Sequence, residues 1–230
     1  MPARIDWVLT DIEGTTTPIA FVHAVLFPFA RARLAALLDS PSAEAAAAIA
    51  EVARLAPGLP PLAALLGWMD ADAKITPLKT LQGIVWDRGY RSGELRGQLY
   101  DDVAPALRAW NAAGVRLAVY SSGSVAAQRL IFGHSTAGDL AGLFGAWFDT
   151  TTGAKRDPAS YAAIAARLGA APGRILFLSD MGGELDAAAA AGLATCQLLR
   201  ATDGTTVAPG HQGAADFTAV ATLFGLPASV

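Results

Sequence analysis

At 230 residues, 53% hydrophobic and only 16% charged, the chain is too apolar to be disordered and long enough for a main domain carrying a smaller insertion. Its formal net charge of −3 excludes the clustered basic field that grips a nucleic-acid backbone, so an anionic ligand has to find local cations. The single cysteine, Cys196, excludes an internal disulfide; the N-terminus, with Asp6 and Asp11 inside its first apolar stretch, reads as neither export leader nor membrane span, so a cytoplasmic chain is expected.

Ile5 to Leu9 is a short apolar run ended by Thr10, Asp11 and the turn-former Gly14, the pattern of a buried strand feeding a loop. From 18 to 98 the pattern changes: Phe21, Val25 and Phe29 recur at helical spacing around Pro28, and apolar stretches follow at Leu62 to Met69 and Ile75 to Trp86. This segment reads as a helical cap inserted after the first strand, with 1–17 and 99–230 as the core; such a cap excludes water from a phosphoryl-transfer site. Strands are then expected at Val115 to Tyr120, Ala146 to Phe148, Ile175 to Leu178 and Thr195 to Leu199. Helices are expected at Val103 to Ala113, Val125 to Phe132, Ser160 to Leu168 and Glu184 to Ala191, each closed by a nearby glycine. Alternating strand and helix implies an α/β fold, a Rossmann-like parallel sheet that binds ligands at the carboxyl ends of its strands.

Those ends carry groups suited to phosphoryl transfer, which needs a nucleophile, cations and a proton donor. In Asp11-Ile12-Glu13-Gly14-Thr15-Thr16-Thr17, two carboxylates stand two residues apart at a glycine turn, although acids are common in turns and the threonines also suit helix capping. Ser121-Ser122-Gly123-Ser124 suits an anion or a simple cap. Lys155 is either a compact charge beside a phosphate or a solvated surface group. Asp180 and Glu184 stand where a hard cation takes oxygen ligands, or where acids favour a helix N-terminus. Singly each has a structural explanation; their order along successive strand ends points to one site.

Asp11-x-Glu13-Gly14-Thr15, Ser121-Ser122-Gly123, Lys155 and Ser179-Asp180 resemble the ordered motifs of the haloacid dehalogenase superfamily. More narrowly, Leu9 to Ile19, Phe21-Val22, Leu26-Phe27-Pro28, Leu78 to Gly83, Trp86, Gly89-Tyr90 and Tyr100 to Val103 are similar to the enolase-phosphatase family. Glu13, where the superfamily more often has aspartate, favours that narrower likeness. The resemblance implies an enzyme that enolises 2,3-diketo-5-methylthiopentyl-1-phosphate and dephosphorylates it to an acireductone in methionine salvage. It implies magnesium (Mg2+) as cofactor, a phosphorylated small molecule as the only partner, and a monomer. It further implies Asp11 as nucleophile and metal ligand, forming an aspartyl-phosphate, and Asp180 as a second metal ligand. Glu13 joins the metal region by main chain or side chain, and serves as proton donor and later as base. Ser121 and Ser122 hold phosphate or substrate oxygens, and Lys155 neutralises charge on the phosphate and on Asp11. Asp11 must be ionised to attack while Glu13 must carry a proton at one stage, so their environments must differ. Met181-Gly182-Gly183 departs from the family pattern, leaving Glu184 open between a metal-bound water and a helix cap. The enolisation base is open as well.

Other classes share parts of this pattern. Another phosphatase or phosphomutase of the superfamily differs only in substrate. A metal-free dehalogenase leaves Glu13 and Asp180 without a purpose, and a phosphorylated receiver domain is much shorter and has no large insertion. His23, His134 and His211 are scattered and suggest no zinc site.

Overall fold

In the computed structural model, which describes residues 4–228, the chain divides into two compact units: Met1–Ala20 with Gly97–Val230, and Phe21–Arg96. The first is an α/β unit. Strands β1 (Trp7–Thr10), β2 (Arg116–Tyr120), β3 (Phe144–Phe148), β4 (Ile175–Ser179), β5 (Ala194–Leu198) and β6 (Gly213–Ala214) form a parallel sheet in the order β3-β2-β1-β4-β5-β6. β1 and β4 are buried along their whole length. That suits central strands of a parallel sheet, where both faces are covered and alternation is lost. β1 lies between β2 and β4, with Leu9 opposite both Ala118 and Phe177. The chain leaves β1 toward β2 on one side and returns to β4 on the other, so the strand order reverses at β1, and ligands gather at such a reversal.

The second unit is helical. A continuous run carries α1 (Ile19–Phe21), a π-helical turn (Val22–Leu26) and α2 (Phe27–Asp39), with Pro28 in the first turn of α2. The widened turn leaves the Leu26 carbonyl to accept from the Trp86 indole N–H at 2.9 Å, a side-chain partner of the kind that stabilises a π turn. By length and composition alone, Ile19–Asp39 is apolar enough to cross a membrane, a feature the sequence reading above did not register. Its Ala30, Leu34 and Leu37 are nevertheless buried among Val52, Leu65, Leu78 and Leu81 of α3 (Ala43–Leu55), α4 (Pro61–Asp70) and α5 (Thr76–Ser92). Gly89 brings α5 close against α2: an added Cβ would stand 2.5 Å from the Phe29 ring.

Returning to the α/β unit, α6 (Val103–Ala112), α7 (Val125–Gly133), α8 (Pro158–Leu168), α9 (Gly182–Ala190) and α10 (Phe217–Phe224) flank the sheet. Tyr161 and Ile164 of α8 and Leu185 of α9 pack on Leu9, Tyr120 and Phe177. Trp110 of α6 stacks on Phe217 of α10 at 5.2 Å. Three of the expected glycine stops hold, through Gly114, Gly169 and Gly192 at positive φ. The fourth fails: Gly133 lies inside the last turn of α7 and His134 is the cap, at negative φ. β3 also begins at Phe144 rather than Ala146, because Phe144 packs its ring against Phe132 at 4.6 Å and extends the strand backwards.

Candidate active site

Asp11, Glu13, Ser121, Ser122, Lys155 and Asp180 line one pocket, together with Ile19, Met181 and Glu184. The topology accounts for the meeting. Asp11 follows β1, Ser121 follows β2 and Asp180 follows β4, three adjacent strands at the reversal of strand order. Lys155 arrives from the loop after β3, held by its backbone: Tyr161 donates its hydroxyl to the Lys155 carbonyl at 2.7 Å and Tyr120 donates to Gly153 at 3.0 Å.

The loop after β1 is fixed from within. The Ile12 N–H donates to Asp11 Oδ1 at 2.7 Å, and the N–H groups of Thr15, Thr16 and Thr17 all turn back to the Ile12 carbonyl. The threonines do not cap a helix. Thr16 donates its hydroxyl to the Asp11 and Ile12 carbonyls, and the Thr15 hydroxyl accepts the N–H of Asp180 at 3.1 Å, tying the β1 and β4 loops together. Gly14 has φ +66°, and a Cβ there would stand 2.6 Å from Asp180 Oδ2. Only glycine lets the second carboxylate approach so closely.

Among the serines the capping alternative belongs to Ser124, whose hydroxyl accepts from the Ala127 N–H and starts α7. Ser121 is buried at the pocket wall and accepts the Gly123 N–H at 3.3 Å. Lys155 is not a solvated lysine. Its side chain is 9% exposed, and its ammonium lies 2.7 Å from Asp11 Oδ2 and 2.6 Å from Glu184 Oε2. Burial alone would lower its pKa, but the Asp11 and Glu184 charges outweigh burial and hold it above the ordinary lysine value. Glu184, left open between helix cap and water ligand, does not cap α9: the side chain caps nothing and instead accepts from Lys155 and from the Ser179 hydroxyl at 3.0 Å. Burial and the Asp11 charge raise its pKa to about 7, against the restraint of Lys155.

Sequence reasoning passed over Gln197, buried in the middle of β5, because the run around it reads as plain apolar strand. Its amide donates to the Asp180 and Thr206 carbonyls at 2.8 and 3.0 Å and accepts from the Ala208 N–H at 2.8 Å, clamping the Asp180 turn. A lone glutamine within five otherwise strand-forming residues was the available signal.

The donor set suits a hard divalent cation. Asp11, Glu13, Asp180 and Glu184 bring four acidic residues to a pocket lined by one ammonium, and burial together with the Asp11 charge pushes Asp180 up to about 6. Among the described residues, no group of three or more His, Cys, Asp or Glu forms a complete cage. Magnesium takes one or two carboxylates and fills its shell with water and substrate phosphate, so the Asp11 and Asp180 pair fits it.

Comparison with known proteins places the chain among relatives of known family. The family model described as haloacid dehalogenase-like hydrolase matches residues 5–192. The chain is 59% identical over 227 residues to "Enolase-phosphatase E1" of Gluconacetobacter diazotrophicus, covering 97% of this chain and 96% of that one. It is 58% identical over 223 residues to the protein of the same name from Granulibacter bethesdensis, with 96% of each chain covered. Among solved structures it is similar to the UTR4 protein of Saccharomyces cerevisiae, with TM-score 0.80 and 33% identity over 93% of this chain and 98% of that one. CbbY from Rhodobacter sphaeroides, in complex with phosphate, shares the fold at TM-score 0.63 and 20% identity, over 93% and 95% of the two chains.

Proposed function

From the premise that the chain belongs to the haloacid dehalogenase-like hydrolases, and within them to the enolase-phosphatases, we propose how its own residues divide the work of the reaction. The protein is a phosphatase of methionine salvage that enolises 2,3-diketo-5-methylthiopentyl-1-phosphate and dephosphorylates it to the acireductone and phosphate. Its metal is assigned as magnesium, held by the Asp11 and Asp180 carboxylates and the main-chain or side-chain oxygen of Glu13. When bound, the ion neutralises phosphate charge and so favours attack by an anion.

Asp11 is the nucleophile. Its carboxylate adds to phosphorus as the bond from phosphorus to the substrate oxygen breaks, giving an aspartyl-phosphate. Glu13 delivers a proton to the departing oxygen, then takes one from the water that hydrolyses the intermediate and frees Asp11 and phosphate. Lys155 keeps Asp11 aimed, since its ammonium holds Oδ2 while the Ile12 N–H holds Oδ1. Ser121 and Ser122, on the wall of the same pocket, hydrogen-bond phosphate or substrate oxygens.

The observation that carries this division is the buried contact of Lys155 with Asp11 and Glu184 in the pocket that Asp180 enters from the neighbouring strand. The test incubates the protein with the methylthio diketone phosphate, following enol absorbance and phosphate release together, with magnesium or chelator. Asp11→Asn is expected to abolish phosphate release, and chelation to stop it in the parent. Phosphate release by Asp11→Asn at the parent rate overturns the nucleophile assignment, and undiminished activity in chelator overturns the metal assignment.

A further inference from the structure

Arg200 lies outside the pocket, at the carboxyl end of β5, yet it is only 5% exposed and fully engaged. Its Nε and Nη2 donate to the Thr15 carbonyl at 3.1 and 2.7 Å. Its Nη1 and Nη2 grip both oxygens of Asp102 at 2.9 to 3.1 Å. Asp102 also accepts the Phe217 N–H at 2.8 Å, so the carboxylate anchors the arginine to the start of α10. The guanidinium lies 4.0 Å from the centre of the Tyr100 ring. Tyr100 in turn donates its N–H to the Thr16 carbonyl at 3.1 Å and its hydroxyl to Asp203, whose carboxylate takes the Ile19 N–H at 3.1 Å.

Thr15 is thus a junction. Its carbonyl is held by two arms of Arg200, and its hydroxyl holds the backbone N–H of Asp180. We infer that Arg200 is a positioning residue that fixes the spacing between the Asp11 and Asp180 loops through Thr15, and so sets the width of the cation site and the aim of the nucleophile. The inference rests on the assignment of Asp11 and Asp180 as the metal pair. A planar fork suits this task where a lysine does not: its bonds leave in fixed directions within one plane, two to a carbonyl and three to a carboxylate. Nothing in the local sequence marks Arg200, which follows an ordinary apolar strand, and Asp102, at the start of α6, makes no side-chain cap to that helix and turns to Arg200 and α10 instead.

The test compares the full chain with Arg200→Lys, Thr15→Val, Thr15→Ser and, as a control on the underlying assignment, Asp180→Asn. Magnesium affinity is measured by calorimetry without substrate, and kcat and KM at saturating magnesium. Arg200→Lys and Thr15→Val are each expected to weaken magnesium binding and to lower kcat by about tenfold or more, the usual cost of losing a group that orients a ligand, with KM nearly unchanged. Thr15→Ser keeps the hydroxyl and should restore both values. If Asp180→Asn binds magnesium as the parent does, the metal assignment fails and the inference with it. If Asp180→Asn loses the ion while Arg200→Lys and Thr15→Val retain parental affinity and kcat, Arg200 merely braces the fold and the inference is overturned. Should Arg200→Lys fail to fold, Thr15→Val decides alone; a loss confined to Arg200→Lys overturns the route through Thr15.

Discussion

Replacing Lys155 by methionine removes the ammonium while keeping a stem of similar length, so it isolates the charge. That ammonium lies 2.7 Å from Asp11 and 2.6 Å from Glu184, with none of the three side chains more than 12% exposed. Without it two buried carboxylates are left unpaired, and deleting one partner of a buried ion pair costs about 3–5 kcal/mol. Proton uptake relieves part of this. Glu184, raised to about 7 by burial and Asp11 in the parent, loses the restraint of Lys155 in the variant and rises further. A carboxyl raised in the folded state contributes stability that is complete below its unfolded value of 4.5 and is lost as pH climbs through its folded value. Between pH 6 and pH 8 the parent loses about 1.4 kcal/mol through Glu184, because its folded value lies midway in that interval. The variant, whose Glu184 stays protonated to higher pH, loses more over the same interval, so the gap between the two widens as pH rises, toward about 3–5 kcal/mol. Urea unfolding in chelator at the two pH values measures it. A gap equal at both, or below about 1 kcal/mol at pH 8 as for an exposed pair, refutes the buried three-way contact. Turnover of the variant should fall by about 10²–10³, the scale of losing one preorganised charge-stabilising donor.

Gly14→Ala should do two kinds of damage: about 1–2 kcal/mol of backbone strain at φ +66°, and displacement of the Asp180 carboxylate that its Cβ would meet at 2.6 Å. Thermal midpoint and kcat should both drop, the first by about 2–8 °C, and parental kcat would show that Asp180 has room to spare. Magnesium affinity should climb between about pH 5 and pH 7 and then level off, because the ion takes the ionised form of Asp180, which burial and the Asp11 charge hold at about 6. Without metal the sign reverses: the raised carboxyl favours the fold below its unfolded value of 3.8 and ceases to as pH passes its folded value, so the stabilisation by magnesium should grow over the same range. Thermal midpoints with magnesium and with chelator at pH 5.5 and pH 7.5 check this; a metal-induced increment independent of pH would detach Asp180 from the ion.

What the sequence made legible was the placing of chemistry at strand ends. Asp11, Ser121 and Asp180 each follow a run whose hydrophobic pattern shows where a strand stops, and a parallel sheet brings those stops together. Periodicity carries no information on which strands are neighbours, so the reversal of strand order at β1 emerged only from the fold. The role of Glu184 was illegible for a related reason. One turn into a helix, a glutamate looks alike whether it caps the helix or reaches a lysine from a distant loop, and only the folded path of the loop after β3 decides. Arg200, Asp102 and Gln197 each reach carbonyl or N–H groups far along the chain, and Arg200 and Asp102 grip each other across 98 positions, pairings that no spacing advertises. The π turn at Val22–Leu26 was equally hidden, since Phe21, Val25 and Phe29 keep a helical rhythm whether or not one turn is widened.

The central position of β1 bears on how the chain is made. Trp7 is synthesised well before one of its sheet partners, Ile175, which follows on the order of ten seconds or more later at about 5–20 residues per second. The helical unit Phe21–Arg96 is contiguous and is complete well before β4 exists. During biosynthesis the segment Trp7-Val8-Leu9 therefore waits with the edge that faces β4 unpaired, even after β2 has been made. The strand that leads into Asp11 is thus exposed until β4 is made, and slowed translation beyond β2 should raise aggregation more than slowed translation within the helical unit.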